Sequence, residues 1–167
     1  MKTITEKCMR SVLLCLGLCL CFSMTVFAKN KVITIDYEED GYQDSYTQVL
    51  EGVFDLNEVG AGNTYINLSW ERSYMDQAYM IDEYGYEVSY YNPDTGKYRH
   101  VKYLRNLDKN STTVKYTGTS ETGTALSAGK NYYFAVRTYC KYEGKYYYGY
   151  YTKLKCATKP VSTEIKS

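Results

Sequence analysis

The sequence predicts an all-β protein, either a sandwich or a small barrel, on three observations. From Lys31 onward, short stretches alternate apolar or aromatic residues with polar ones, which is the period-two pattern of half-buried strands. Gly, Asn, Asp or Ser residues interrupt these stretches at short intervals, as turns do. No amphipathic helix of ordinary length is evident. Several short strands within about 130 residues are typical of sandwiches and small barrels.

The first 28 residues are set aside because they have the three-part plan of a secretory signal peptide. Basic residues precede an apolar run over residues 11–22, and the segment ends with the small residue Ala28. The alternative is an uncleaved anchor helix, for which the apolar run is short. We therefore expect cleavage after Ala28, a secreted mature chain, and no membrane span after that cleavage.

Length and charge place the remaining chain among small single domains. The full chain has 167 residues with 20 Lys+Arg against 19 Asp+Glu, and this balance lacks the basic footprint of a nucleic-acid binder. Its composition is unusual in one respect, since it has 22 Tyr against 4 Phe and 1 Trp. That is more aromatic surface than one core requires, so we expect tyrosines on the surface as well.

Period-two alternation divides each predicted strand into an inward and an outward face. It is clearest in three stretches, residues 64–70, 86–90 and 132–140. On the third stretch, Tyr133, Arg137 and Tyr139 are predicted to point away from the core. The side chains that alternation assigns to the core are Ile66, Leu68, Trp70, Tyr86, Val88, Tyr90, Phe134 and Val136.

Two hairpins are predicted from turn residues. The sequence Asn92-Pro93-Asp94-Thr95-Gly96 suits a type I turn followed by a left-handed residue, which makes residues 85–104 a hairpin. The second hairpin pairs residues 131–142 with 146–158 across Glu143-Gly144.

Five motifs carry a family resemblance. They are Ile66-x-Leu68-x-Trp70, Gly85-Tyr86-x-Val88-x-Tyr90, Leu126-x-Ala128-Gly129-x-x-Tyr132-x-Phe134-x-Val136-Arg137, Tyr151-Thr152-x-Leu154 and Thr158-Lys159-Pro160. Their joint pattern over residues 48–160 resembles a fibronectin type III domain, of the kind found in secreted and cell-surface proteins of Gram-positive bacteria.

The resemblance implies an immunoglobulin-like sandwich of seven strands in two antiparallel sheets. Trp70 would fill the core from the second strand, and Leu126 and Tyr132 would join that core. Tyr132 would be a tyrosine corner whose hydroxyl returns to upstream backbone. Residues 29–47 would then form a short acidic N-terminal extension, and residues 161–167 a C-terminal tail.

The loop between the last two strands is the predicted ligand-binding site. Five of the six residues 146–151 are Tyr, and about half of them at most can point inward. Rigid amphipathic rings suit protein recognition, and flat rings suit stacking on sugars. The alternative is that Tyr pairs with Lys and Arg only stabilise the sheet. The residues assigned to binding are Tyr142, Lys145, Tyr146, Tyr147 and Tyr148.

Other candidate sites are weaker. Acidic residues at 36, 38, 39, 40 and 44 with Gly41 are similar to a Ca²⁺ loop, but Thr47 stands where that loop has Glu, so a solvated acidic loop is favoured. Cys140 and Cys156 suit a disulfide by compartment, whereas hairpin geometry places them apart, and both alternatives stay open. His100, the one histidine, has no partner His or Cys nearby in sequence, so no metal or catalytic role is assigned to it.

The expected function is a secreted, non-enzymatic adhesion module that binds an extracellular protein or carbohydrate and needs no cofactor, metal or nucleic acid. The alternative is a structural spacer or self-associating unit that uses exposed strand edges. An enzyme is the least favoured of the three classes, because no nucleophile elbow, phosphate loop or paired-His motif is present in the sequence.

Overall fold

Ten β-strands in three antiparallel sheets make up a computed structural model that describes residues 31–75 and 80–162, except for some side chains of the first strand. The predicted signal peptide, residues 1–28, lies outside the described residues, as do residues 163–167 of the predicted tail. Within the two described ranges, no helix has the length and apolar character needed to cross a lipid bilayer.

Two of the sheets face each other as a sandwich. The three-stranded sheet has the order β3-β4-β7, with β3 at Asn57–Ala61, β4 at Ile66–Ser69 and β7 at Ser111–Val114. The five-stranded sheet has the order β10-β8-β5-β6, and β9 also pairs with β8. Its strands are β5 (Glu83–Asn92), β6 (Lys97–Arg105), β8 (Asn131–Tyr142), β9 (Lys145–Tyr148) and β10 (Thr152–Ala157). The all-β sandwich is thus present, with ten strands in the described residues where seven were expected.

The main core lies between these two sheets. Trp70, directly after β4, packs edge-on against Tyr86 of β5 with ring centroids 5.1 Å apart. Tyr90 and Tyr132 are half-buried and pack against the edge of this core. The other residues that the sequence assigned to the core are all buried in it, namely Ile66, Leu68, Trp70, Tyr86, Val88, Leu126, Phe134 and Val136.

The turn between β5 and β6 ends in a left-handed glycine, as the sequence predicts. β5 pairs with β6 from Gly85 to Asn92, and the amide of Gly96 donates to the carbonyl of Asn92 at 2.9 Å. Gly96 has φ +66°, a conformation that L side chains rarely adopt. The predicted hairpin over residues 85–104 is therefore confirmed.

Tyr132 at the start of β8 ties a loop to the sandwich. Its hydroxyl oxygen accepts a hydrogen bond of 2.8 Å from the amide of Ser127, five residues upstream. This is the return to upstream backbone that the tyrosine-corner expectation described.

A bulge interrupts the strand that follows β8. Tyr148 of β9 is opposite Tyr139, and Thr152 of β10 is opposite Val136, so three residues, 149–151, face the two residues 137–138. The amide of Gly149 donates to the carbonyl of Thr138 at 2.9 Å. The extra residue reverses the alternation of side chains between β9 and β10.

Residues 31–50 correct the expectation of an acidic loop, because they form a β-hairpin of β1 (Lys31–Glu39) and β2 (Tyr42–Leu50). Asp40 and Gly41 form its two-residue turn with φ of 52° and 81°. Ile33, Ile35 and Leu50 pack with Ile81 and Cys140 in a second, smaller core. Asp36, Glu38, Asp40 and Asp44 are exposed. No metal-binding group of three or more His, Cys, Asp or Glu is found among the described residues.

The two cysteines of the sandwich are free thiols. Cys140 is opposite Tyr147 and Cys156 is opposite Tyr132, which places them near opposite ends of β8. Burial raises the pKa of the Cys140 thiol to about 11 and that of Cys156 to about 12. The arrangement answers the open question of a disulfide in favour of separate thiols.

Candidate functional site

The outer side of the five-stranded sheet has a floor of small side chains on its two central strands. Register places Gly85 of β5 opposite Tyr139 of β8, and Ser89 opposite Ala135, on the side that faces away from the core. Gly85, Ser89 and Ala135 are nevertheless buried. Side chains from the flanking strands must therefore cover them.

Tyrosines provide that cover. The Tyr151 hydroxyl reaches from beside β10 to the Ser89 hydroxyl of β5, with the oxygens 3.0 Å apart. The hydroxyls of Tyr103 on β6 and Tyr148 on β9 meet at 2.9 Å. We call the whole set the tyrosine layer. Its members are Tyr91, Tyr98, Tyr103, Tyr133, Tyr139, Tyr146, Tyr148 and Tyr151.

Tyr139 shows that this layer is two rings deep. Alternation correctly predicts that it points away from the main core, yet it is 0% exposed. The rings of Tyr103, Tyr146 and Tyr148 lie over it, with centroids 4.7, 6.1 and 6.5 Å from its own. Its hydroxyl donates to Glu83 Oε1 at 2.7 Å. Tyr139 therefore points away from the main core and is still buried, because other tyrosine rings cover it.

Two pairs of rings that include the exposed tyrosines are each nearly parallel. Tyr98 stacks on Tyr151 at 4.0 Å and 13°, and Tyr146 is within 17° of Tyr103 at 6.0 Å. Three members keep substantial exposure, namely Tyr146 at 43%, Tyr98 at 38% and Tyr103 at 37%. The sheet thus presents rings that are supported from below and open to solvent above.

A buried charge pair holds the layer at its centre. Arg137 Nε donates to Glu87 Oε2 at 2.6 Å, and the guanidinium lies 3.9 Å from the centroid of Tyr148 and 4.2 Å from that of Tyr151. Glu87 also accepts from the Tyr151 hydroxyl at 3.0 Å and lies 3.1 Å from His100 Nδ1. Since these groups come from β5, β6, β8, β9 and the residue before β10, the network fixes the rings relative to one another.

The protonated phenols are stabilised by this packing. Burial, followed by the bond that it donates to Glu83, raises the pKa of Tyr139 well above its usual range, and burial with the Tyr148 hydrogen bond does the same for Tyr103. Burial and the neighbouring Glu87 carboxylate raise the pKa of Tyr151 to about 12. These hydroxyls therefore stay neutral hydrogen-bonding groups near pH 7.

The residues predicted for binding are divided between two surfaces. Tyr146 and Tyr148 belong to the tyrosine layer. Tyr142 and Tyr147 pack on the opposite side, against the core beneath the N-terminal hairpin, and the Tyr142 hydroxyl donates to the carbonyl of Asp36 at 3.3 Å. Lys145 is exposed at the start of β9. The five side chains do not converge at one tip.

Sequence reasoning missed the members of the layer on β6 and beside β10. Tyr98 and Tyr103 lie in the hairpin that was predicted, but their pairing with Tyr151 and Tyr148 spans more than forty residues. His100 was given no role, whereas it binds Glu87. The available signal was the alternation of β6, which places Tyr98 and His100 on the same face.

A cavity of about 550 Å³ lies elsewhere in the described residues. It lies between β2 and residues 71–75, and its lining includes Leu50, Phe54 and Met75. The Ser73 hydroxyl, also in the lining, is buried without a hydrogen-bond partner. No member of the tyrosine layer lines this cavity, so the two features are separate.

Comparison with known proteins identifies neither a family nor a relative by sequence. No family model matches the chain, and no curated protein matches it. Among solved structures, the chain is similar to a solution structure of a fibronectin type III domain derived from the human KIAA0970 protein. The TM-score is 0.45 with 16% identity, over 71% of this chain and 80% of that one. The all-β sandwich stands on the strand pairing and core described above.

Proposed function

We propose that this chain is a secreted, non-enzymatic binding module of the fibronectin type III kind, which recognises an extracellular protein or carbohydrate through its tyrosine layer. The observation that carries the proposal is the exposure of Tyr98, Tyr103 and Tyr146 on top of other rings. A single layer of tyrosines would suffice to cover the small side chains of β5 and β8. The upper rings exceed that need and are available for contact.

The fixed geometry of these rings favours recognition. Tyr immobilises only two side-chain dihedrals on binding and offers both an apolar face and a hydroxyl. Here the stacking on Tyr151 and the bond between Tyr103 and Tyr148 already restrict the rings before any ligand arrives. Binding therefore costs little further side-chain entropy.

A binding array with matched variants tests the proposal. Labelled protein comprising residues 29–167 is applied to arrays of glycans and of extracellular proteins, beside a Tyr98→Ala/Tyr146→Ala variant. The control is Tyr42→Ala/Tyr74→Ala, which removes two exposed tyrosines outside the layer. We expect the control to retain capture and the layer variant to lose it. Equal capture by both variants contradicts a role for the layer.

Export is tested separately. We expect the protein, produced with its full leader in a Gram-positive host, to accumulate in the medium with Lys29 at its N-terminus. Mass spectrometry of the medium checks this expectation. A cell-associated protein that retains residues 1–28 would instead support the anchor helix.

The open edge of β6 favours a second candidate function, a self-associating structural unit. Among the described strands, β6 pairs only with β5, so its other edge offers unpaired backbone groups. Light scattering over a range of protein concentrations distinguishes the two functions. A mass that stays monomeric supports the binding module, and a rising mass supports the structural unit.

A further inference from the structure

The outer side of the five-stranded sheet has an excess of positive charge. Its alternation, with the bulge taken into account, places only two carboxylates there, Glu83 and Glu87. The Lys and Arg side chains on the same side are Arg105, Arg137, Lys141, Lys153 and Lys155.

Both carboxylates already have cationic partners. Glu87 is buried and pairs with Arg137 at 2.6 Å, and Glu83 pairs with Arg105 at 3.2 Å. Neither carboxylate is therefore available to repel or to bind a ligand as a free anion. The remaining charge of this side belongs to lysines.

The three lysines are held beside rings of the tyrosine layer. Lys153 Nζ lies 4.2 Å from the centroid of Tyr91, and Lys141 and Lys155 lie 5.7 and 6.0 Å from Tyr146 and Tyr133. Within the described residues, none of the three has a carboxylate at ion-pairing distance. Ammonium groups and ring faces are therefore offered together on one surface.

We propose that the tyrosine layer binds an anionic polysaccharide, with pyranose rings on the exposed tyrosines and carboxylates on Lys141, Lys153 and Lys155. This inference rests on the proposed function and names its ligand class. The exposed faces of Tyr98, Tyr103 and Tyr146 suit contact with the flat C–H faces of sugars. Carboxylates that repeat along the polymer can contact more than one of the three lysines on β8 and β10.

An acidic peptide fits this surface less well. Peptides that bind sheets usually add a strand at an open edge and so gain backbone hydrogen bonds. The backbone of β5 and β8 beneath the layer is already paired on both sides, β5 with β6 and β8, and β8 with β5 and β10. A peptide that adds a strand would instead use the open edge of β6 or β10, at the margins of the sheet and not on the ring faces.

Three soluble polymers test the ligand class by calorimetry at low ionic strength. Polygalacturonate supplies sugar rings with carboxylates, its fully methyl-esterified form supplies the same rings without charge, and poly-L-glutamate supplies charge without sugar rings. We expect binding to polygalacturonate and at least about tenfold weaker binding to each of the other two, with salt weakening the first interaction.

Two triple Lys→Gln variants, which each remove three positive charges, test where the polymer binds. Lys141→Gln/Lys153→Gln/Lys155→Gln should weaken polygalacturonate binding by about tenfold or more, because three direct charge contacts are lost. Lys109→Gln/Lys115→Gln/Lys130→Gln removes the same charge elsewhere and should change the affinity by less than about threefold. Circular dichroism establishes that both variants are folded.

The outcomes separate this inference from the function on which it rests. Equal binding of the esterified polymer, or of poly-L-glutamate, overturns the anionic polysaccharide, as does equal weakening by the two lysine triplets. If a protein or neutral glycan is captured through Tyr98 and Tyr146 while polygalacturonate is ignored, the ligand class is wrong and the binding function stands. If the layer variant binds every ligand normally, both proposals fail.

Discussion

Arg137 and Glu87 form the charge pair at the centre of the tyrosine layer, with Nε and Oε2 2.6 Å apart and both side chains largely covered. They come from adjacent central strands and are directly opposite in the β5–β8 register. Since two tyrosine rings enclose the guanidinium, the pair positions the rings as well as neutralising the buried carboxylate.

Arg137→Ala should destabilise the protein by about 3–5 kcal/mol, because it leaves the Glu87 carboxylate buried without its main partner. Urea unfolding measures the change. Arg72→Ala is the matched control, since Arg72 pairs with Asp108 at the surface and should cost at most about 1 kcal/mol. Similar losses in both variants would show that the central pair has no special role.

Trp70→Ala should cost about 3–5 kcal/mol, since it removes a buried ring from the sandwich core. Tyr132→Phe should cost only about 0.5–1.5 kcal/mol, because it removes the single hydrogen bond to the Ser127 amide. Chemical denaturation of both variants checks the order. An unchanged midpoint for Trp70→Ala would mean that the two sheets do not pack as described.

Tyr147→Ala should mainly lower stability and Tyr146→Ala should mainly lower ligand capture, although the two residues are adjacent. Tyr147 packs against the core beneath the N-terminal hairpin, so its loss should lower stability by about 2–3 kcal/mol and leave ligand capture intact. Tyr146 is exposed on the layer, so its loss should reduce capture with a smaller effect on stability. Thermal melts and array binding of the two variants are compared directly. The reverse pattern would place the binding surface on the hairpin side.

Stability should fall as the pH rises above about 10. The pKa values of Tyr103, Tyr139 and Tyr151 are raised in the folded protein, so the unfolded chain releases these protons first. The folded state then binds more protons than the unfolded state, and the free energy of unfolding decreases through this range. Urea titrations between about pH 8 and 11 measure the slope, which should be shallower in Tyr151→Phe. A slope that is the same in both proteins would contradict the burial of that hydroxyl.

The core of the sandwich could be predicted from the sequence, because alternation of apolar and polar residues is visible within each short strand. Ile66, Leu68 and Trp70 alternate along one strand, and their burial requires only that the strand has one covered face. The β5–β6 hairpin was likewise encoded in adjacent residues, with the turn ending at Gly96.

The tyrosine layer could not be predicted in the same way, because its geometry depends on long-range register. Counting by twos from Tyr146 puts Tyr148 and Tyr150 on one face, whereas the bulge brings Tyr151 to the side of Tyr148. A one-residue shift thereby places a ring on each side of Arg137. No pattern within residues 146–151 indicates where that shift occurs.

The N-terminal hairpin was predictable and was missed. Asp40-Gly41 is a typical two-residue hairpin turn between stretches of alternating residues. The nearby carboxylates favoured the interpretation as a loop, although they lie on strands that pair along their whole length. The exposed carboxylates of β1 belong to one face of that strand, and they give no information about its other face, where Ile33 and Ile35 are buried.

The small side chains beneath the layer limit how this surface can diverge in evolution. A Cβ added at Gly85 would overlap the carbonyl oxygen of Leu104, and larger side chains at Ser89 or Ala135 would lift the rings above them. Larger side chains at these three positions should therefore be selected against, while exposed positions such as Tyr98 and Tyr146 are free to change. A lineage could acquire a new specificity by exchanging those outer residues and inheriting the supporting sheet unaltered.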